Sequence, residues 1–462
     1  MSINFLLINK SKHLVSSFYI LFVFFIQRYI SIDLPILSFL LLFLSGIAFY
    51  ISFYIKEKSF FSPAGVFSII WFGSIGLSQL RLNINQIPFS LKTWIVLGCT
   101  YLFFYLGYNL CPKIKLRRYT YSSTKILSSI NLLFFVITSA FLIEVYIRGF
   151  IPLFSSDPTA YIAFSVSGIH YLVVSCILIP PLTIVLLFKS NKNLSKFQYI
   201  YLIIENLICL IIPILIVSRQ LLMMEIVLIC MTFAKKYKQS EKIILMVMML
   251  VIFISFVILS FGRNQDSDYL NYVFNQKNKY TSYYYQSDTK LSKIEIEQYN
   301  SLYKGINQFN RVNLDNLPMP FYQIYMYISF NYDNLNYKIA TIDHYAYGKS
   351  SFFPLFALTG IKFLAPEKFV FSTSNYLTTF NTNPICYTPY IDFGLLGVMA
   401  YMLIIGIISK QVTIHSSYDN GIIQYSILNY CLLFSFFSSF FSNATTIIYI
   451  LILALINYYA KK

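Results

Sequence analysis

Uninterrupted apolar segments recur from one end of this sequence to the other, and that recurrence limits the fold more than any other feature. Each of about 18 residues or more is long enough to cross a hydrocarbon core of about 30 Å. Their approximate limits are 14–31, 34–55, 63–80, 93–111, 126–147, 169–188, 198–217, 220–234, 243–261, 391–410, 421–440 and 443–459. Inside lipid no water satisfies backbone N–H and C=O groups, so such segments must close their hydrogen bonds internally as helices. Of the 462 residues 57% are hydrophobic and only 11% charged, where a soluble domain carries roughly a quarter charged. The expected fold is an all-α polytopic membrane protein with about twelve transmembrane helices.

The spacing of the segments divides the chain in three. Residues 1–261 hold nine expected helices, residues 262–390 form one large loop, and residues 391–462 hold the last three. Within the loop, Asp266–Asn316 is polar and tyrosine-rich, whereas Phe321–Phe330 and Phe352–Leu364 are apolar but too short to span. These two pieces read as interfacial or re-entrant segments pressing the loop onto the membrane, broken or started by Pro318, Pro320 and Pro354. The apolar run from Leu14 follows Lys10 and Lys12 without a small-residue cleavage site, so it reads as an uncleaved first helix.

Charge placement orients the chain. Lysine dominates one alternate set of connections: Lys10 and Lys12, Lys56 and Lys58, the 113–125 cluster, Lys189–Lys196, Lys235–Lys242, Lys410, and Lys461 with Lys462. The short connections on the other side hold Arg28, Arg81, Lys92, Arg148 and Arg219. The positive-inside rule makes the first set cytoplasmic and puts both termini inside, with the large loop outside. The net charge of +17 is therefore an orientation signal, and without a basic stripe or recognition module it does not indicate nucleic acid. Of seven cysteines only Cys386 is expected to face water, so no disulfide framework is predicted.

The outer connections favour arginine, which the positive-inside rule does not require. Arginine's planar fork binds phosphate bidentately and holds its charge in a dry setting. Arg81, Arg148, Arg219 and Arg263, with Arg28 and the loop residue Arg311, are therefore candidates for a pyrophosphate, or alternatively headgroup anchors at helix ends. Glu144 and Arg148 stand four apart on one helix face, either as a mutual salt bridge or as functional groups inside the membrane. Glu225 is placed to pair similarly with Arg219, and Glu205 reads as structural. His344 in the loop suits general-base work, and His170 ranks below it. Asp392 either caps the tenth helix or acts as base. Asp266-Ser267-Asp268 forms a DxD, a pattern that in many sugar transferases holds a metal bound to a nucleotide-sugar; nucleotide-sugars are cytoplasmic and this loop is outside, so no metal is expected here. No P-loop, metal-ligand cluster or cofactor motif is present.

Three stretches resemble the Wzy-type oligosaccharide repeat-unit polymerases (O-antigen polymerases). Arg148-Gly149-Phe150-Ile151-Pro152-Leu153-Phe154-Ser155 is similar to the family's Gly-x-x-Pro-Leu-Phe segment. Ser218-Arg219-Gln220-Leu221-Leu222 resembles its Ser-Arg turn, and Tyr390-Ile391-Asp392-Phe393-Gly394-Leu395-Leu396-Gly397 its Asp-Phe-Gly-x-x-Gly after the large loop. Some members carry arginine followed eleven residues later by glycine, and neither Arg263 nor Arg311 does, so roles tied to that pattern do not transfer.

The resemblance implies a bacterial inner-membrane enzyme whose active site faces the periplasm. It would transfer a growing glycan from undecaprenyl pyrophosphate onto a new lipid-linked repeat unit, for O-antigen or capsular polysaccharide, with a flippase and a chain-length regulator as partners. The activated linkage removes any need for ATP. On this reading His344, Asp392 or Glu144 supplies the base, and Arg219, Arg263, Arg148, Arg81 and Arg311 the cations that stabilise the leaving pyrophosphate. An O-antigen ligase and a lipid-linked oligosaccharide flippase or transporter are the alternatives.

Overall fold

The computed structural model describes residues 3–82, 86–112, 122–155, 160–189, 194–237, 240–248, 250–251, 312, 319–364, 382–416 and 421–461. Arg263, Arg311, the DxD, most of the 243–261 segment and nearly all of 266–316 lie outside the described residues. The described chain is all-α. Its helices are α1 (Ile3–Asp33), α2 (Pro35–Glu57), α3 (Pro63–Gln79), α4 (Leu91–Leu110), α5 (Ser123–Arg148), α6 (Ala160–Phe164), α7 (Ile169–Val173), α8 (Ile179–Lys189), α9 (Lys196–Leu215) and α10 (Arg219–Lys236). They continue as α11 (Met319–Thr341), α12 (Phe353–Leu358), α13 (Ile361–Leu364), α14 (Tyr387–His415), α15 (Ile422–Leu433) and α16 (Ala444–Ala460).

Among the described residues, six helical stretches are long and apolar enough to cross a membrane: His13–Asp33, Pro35–Glu57, Ser123–Arg148, Ile169–Lys189, Lys196–Leu215 and Tyr387–His415. Ile422–Leu433 and Ala444–Ala460 are shorter apolar helices. The count of about twelve is thus met only in part. α3 and α4 occupy expected positions but carry Ser, Thr, Gly and Tyr, which lower their hydropathy while Trp71, Trp94, Tyr101 and Tyr108 are buried between helices. Lipid contact is not needed to hold such a helix.

Two cores share a seam. One is built by α5, α7 to α10, α15 and α16, around Ile177, Leu186, Val227 and Tyr449. The other is built by α1 to α4, α11 and α14, around Trp71, Phe72, Trp94 and Met402. α4 and α14 cross at Gly107 and Gly406, where a Cβ on either would collide with backbone of the facing helix. Small residues allow this approach, as in membrane helix pairs generally.

Lys56, Lys125, Lys410 and Lys461 gather at one end, and Arg28, Arg81 and Arg148, with Lys92, at the other. At the lysine end Lys56 donates to Asn109, Lys410 pairs with Glu57 at 3.2 Å, and Lys125 donates to the Lys461 carbonyl. Helix direction sends the C-terminal ends of α1, α3 and α5 and the N-terminal ends of α4 and α14 to the other end, with Arg28, Arg81, Arg148 and Asp392.

The piece expected to lie at an interface, Phe321–Phe330, is instead the first half of the 23-residue α11, which is buried against α3 and α4. The polar half makes this burial affordable in energy because its asparagines and Asp333 find partners. Asn336 accepts from Ser90 N–H (3.1 Å) and Thr93 Oγ1 (2.7 Å), Gln86 donates to Asp333 (3.0 Å), and Asn334 donates to the Thr382 carbonyl (3.0 Å). Buried polar groups persist when paired in this way. Burial pushes the Asp333 carboxyl up to about 8, against the opposing pull of the Gln86 hydrogen bond, the Arg81 charge and the Ile87 backbone. Phe352–Leu364 forms the two short helices α12 and α13. Cys386, expected to face water, is fully buried at the start of α14, beneath the strap that Ile385 N–H makes to the Ser435 carbonyl (2.7 Å).

Candidate functional site

The C-terminal end of α5 carries the most chemically competent group of side chains. Gly149 ends the helix in the left-handed conformation (φ 74°), its N–H donating to the Val145 carbonyl at 2.8 Å. Glycine adopts that conformation without a Cβ clash. The chain then turns through Pro152 and α6 and comes back to α5 at residues 164–170.

Glu144 and Arg148 share one face of α5, as their spacing requires, but do not bond to each other. Each grips the returning turn instead. Arg148 donates through Nε to the Phe164 carbonyl (3.2 Å) and through Nη2 to the Ser165 carbonyl (2.6 Å). Glu144, fully buried, accepts from Val166 N–H at 2.9 Å. Both Glu144 oxygens also lie 3.1–3.2 Å from His170 Nδ1. The expected mutual salt bridge is replaced because backbone groups of the turn come closer to each side chain than the two come to one another.

The consequence is a carboxylate–imidazole pair. A carboxylate on Nδ1 selects the tautomer with its proton there, which leaves the Nε2 lone pair free. The His170 side chain is 30% exposed while Glu144 is sealed, so the ring faces outward from a fixed buried acid. His170 ranks above the three bases expected from sequence. Its only sequence signal is a histidine two residues after Gly168, itself left-handed at φ 88°.

Asp392 is placed differently. Its Oδ1 accepts from Ser350 N–H (3.0 Å) and its Oδ2 from Ser351 N–H (2.5 Å), while its own carbonyl accepts from Tyr347 N–H (3.1 Å). It lies inside α14 rather than at its N-cap, and it is fully buried with an amide on each oxygen, so it clamps the 346–351 loop. His344, exposed, lies just before that clamped loop. The Asp-Phe-Gly-x-x-Gly spacing gains a physical reason here. α14 breaks at Phe393 and Gly394, where Gly394 has φ 62° and a Cβ would lie 2.7 Å from Tyr345 Oη. At Gly397 a Cβ would strike the Pro389 carbonyl.

The remaining described arginines divide by surroundings. Arg81 is buried, donates to the Ser31 carbonyl and acts electrostatically on Asp333, so it joins the α11 dock rather than an open anion site. Arg219 is half-buried and opens α10, whose Ser218 Oγ accepts from Leu221 N–H at 3.3 Å. Val217 before it is left-handed at φ 54°, a conformation that costs a non-glycine residue roughly 1–2 kcal/mol. Glu225, expected near Arg219, is fully buried with neither oxygen hydrogen-bonded, as is Glu205. Glu144, Arg148 and His170 thus form one group, Asp392 and the His344 loop a second, and Arg81 with Asp333 a third. Among the described residues no three His, Cys, Asp or Glu side chains converge as a metal set.

No family model, curated protein or solved structure matches this chain.

Proposed function

We propose that the chain is a glycosyltransferase that polymerises polyprenyl-pyrophosphate-linked oligosaccharide repeat units at the outer leaflet of a bacterial inner membrane. The reading includes the twelve-span arrangement, cytoplasmic termini, a large periplasmic loop, and a place beside a flippase and a chain-length regulator. The observation that carries it is the Glu144–His170 pair at the arginine end of α5, whose two members flank the Arg148–Ser155 segment that resembles the polymerase family.

The chemistry needs a base and a charge sink. His170 Nε2 takes the proton of an acceptor sugar hydroxyl as its oxygen bonds to the anomeric carbon of the donor glycan. The bond between that carbon and the pyrophosphate oxygen breaks, and lipid pyrophosphate leaves with the electron pair. Glu144 stabilises the imidazolium that forms, and fixed guanidinium groups, Arg219 first among those described, receive the charge on the leaving group. Asp392 acts as a positioning residue that holds the His344 loop.

His170→Gln tests this in cells that display the polymer. Long glycan ladders should vanish while single repeat units persist, at a rate loss of roughly 10²–10⁴-fold. Normal ladders at normal expression would overturn the assignment. A ligase differs in the same experiment, because losing it leaves no unit attached. Glu205 and Glu225, buried without partners, favour a transporter as the second reading, since unpaired acids inside membranes mark ion and substrate paths. Unassisted flipping of lipid-linked units by the purified protein in vesicles would establish that reading instead.

A further inference from the structure

Between α1 and α4 lies an open cleft of about 350 Å³, within the roughly 300–1,000 Å³ of small-molecule sites. Phe24, Trp94 and Gly98 form its floor, and Phe22, Phe25 and Ile95 its exposed lips. The walls are hydrocarbon apart from the Cys99 thiol, so the occupant that fits is itself a hydrocarbon chain. The floor is closely packed: a Cβ on Gly98 would already touch Phe24 at 3.1 Å, and the Phe24 ring is tilted at 50° to Trp94 with centroids 6.4 Å apart.

One end of the cleft is cationic. Arg28 follows Phe25 by one turn of α1, and Lys92 adjoins Leu91, a lining residue at the start of α4. Lys92 is exposed, and Arg28 is half-buried with a long 3.5 Å hydrogen bond to the Phe89 carbonyl. The N-terminal end of α4 adds its positive dipole at the same place. An apolar trough closed at one end by a guanidinium, an ammonium and a helix N-terminus fits an amphiphile with a phosphate head and a single chain.

We propose that this cleft seats the isoprenoid chain of the lipid pyrophosphate substrate, with Arg28 and Lys92 on its phosphate; the assignment rests on the proposed polymerase function. Neither residue belongs to the Glu144–His170 group, so the site anchors the carrier rather than performing the transfer.

Photolabelling of the full-length protein in phosphatidylcholine nanodiscs tests it, using a diazirine-bearing polyprenyl phosphate and peptide mapping. Label should concentrate on residues 18–25 and 91–99 and be competed by unlabelled polyprenyl phosphate. Ile95→Trp, which fills the cleft from an exposed position, should cut labelling there about tenfold, and Arg28→Gln should weaken competition by a similar factor. Leu132→Trp, on the exposed face of α5, should change neither. Label spread evenly over the exposed helices, equal competition by phosphatidylglycerol, or indifference to Ile95→Trp would each overturn the proposal. Glycan ladders in the same variants separate the two claims. Normal ladders with no cleft labelling remove the cleft alone. Specific cleft labelling in a protein that makes no polymer supports the lipid site and removes the polymerase.

Discussion

Two buried carboxylates sit at comparable places in the two halves of this protein, and they do different things. Glu144 lies in the last turns of α5 in one core and Asp392 precedes the break in α14 in the other, both with no exposed surface. Each holds a returning loop by accepting from its backbone amides. Asp392 spends both oxygens on adjacent amides, Ser350 and Ser351. Glu144 spends one on Val166 and retains its carboxylate for the His170 ring. Sharing an acid between a backbone amide and a partly exposed imidazole turns a structural clamp into a site with a free basic nitrogen. A buried carboxylate that faces only amides fastens the loop they belong to.

Paired isosteric substitutions should break the two clamps in opposite ways. Glu144→Gln should lower turnover by a large factor, approaching that of removing His170, while changing thermal stability little; a fall in stability with turnover intact would reverse the roles. Asp392→Asn should do the converse, because the new NH₂ group confronts amide donors. An unsatisfied buried group costs about 1–3 kcal/mol, read as a lower melting temperature in detergent, with any glycan defect following the loss of folded protein.

Gly394→Ala sharpens the comparison on the Asp392 side alone. The added Cβ meets Tyr345 Oη and requires a left-handed backbone, at a cost of roughly 1–2 kcal/mol for the backbone term. Combining it with Tyr345→Ala should recover the contact part and leave the backbone part. Full recovery would show that the break tolerates any residue.

A separate test concerns Asp333, which lies on α11 in the second core and belongs to neither clamp. Its folded carboxyl is raised to about 8 from 3.8, so the native state holds the proton more tightly than the unfolded chain. Stability contributed by this group is therefore full below about pH 4, falls as pH rises toward about 8, and levels off above it. Asp333→Asn should flatten that slope in melting curves taken across this range. An unchanged slope would place the pH dependence elsewhere.

Much of the architecture was legible in the residues. Apolar runs announced helices at 35–57, 123–148 and 196–215 close to their observed limits, and the four-residue spacing put Glu144 and Arg148 on one face. Gly149 and Gly394, read only as motif letters, prove to be left-handed positions. The misreadings share a cause. α11 looked interfacial because its second half is polar, and its burial depends on Ser90, Thr93, Gln86 and Thr382, which come from distant parts of the chain. Cys386 looked wet for want of any local sign of the Ser435 strap.

What the sequence determined by itself is therefore what each segment can satisfy alone. In lipid a helix closes its own backbone hydrogen bonds, so apolar length suffices to specify it. Which acid meets a partly exposed imidazole and which meets only amides is a question about partners, and partners arrive by folding. Glu144 became the orienter of His170, and Asp392 a clamp, only when the 164–170 turn and the 346–351 loop returned to them.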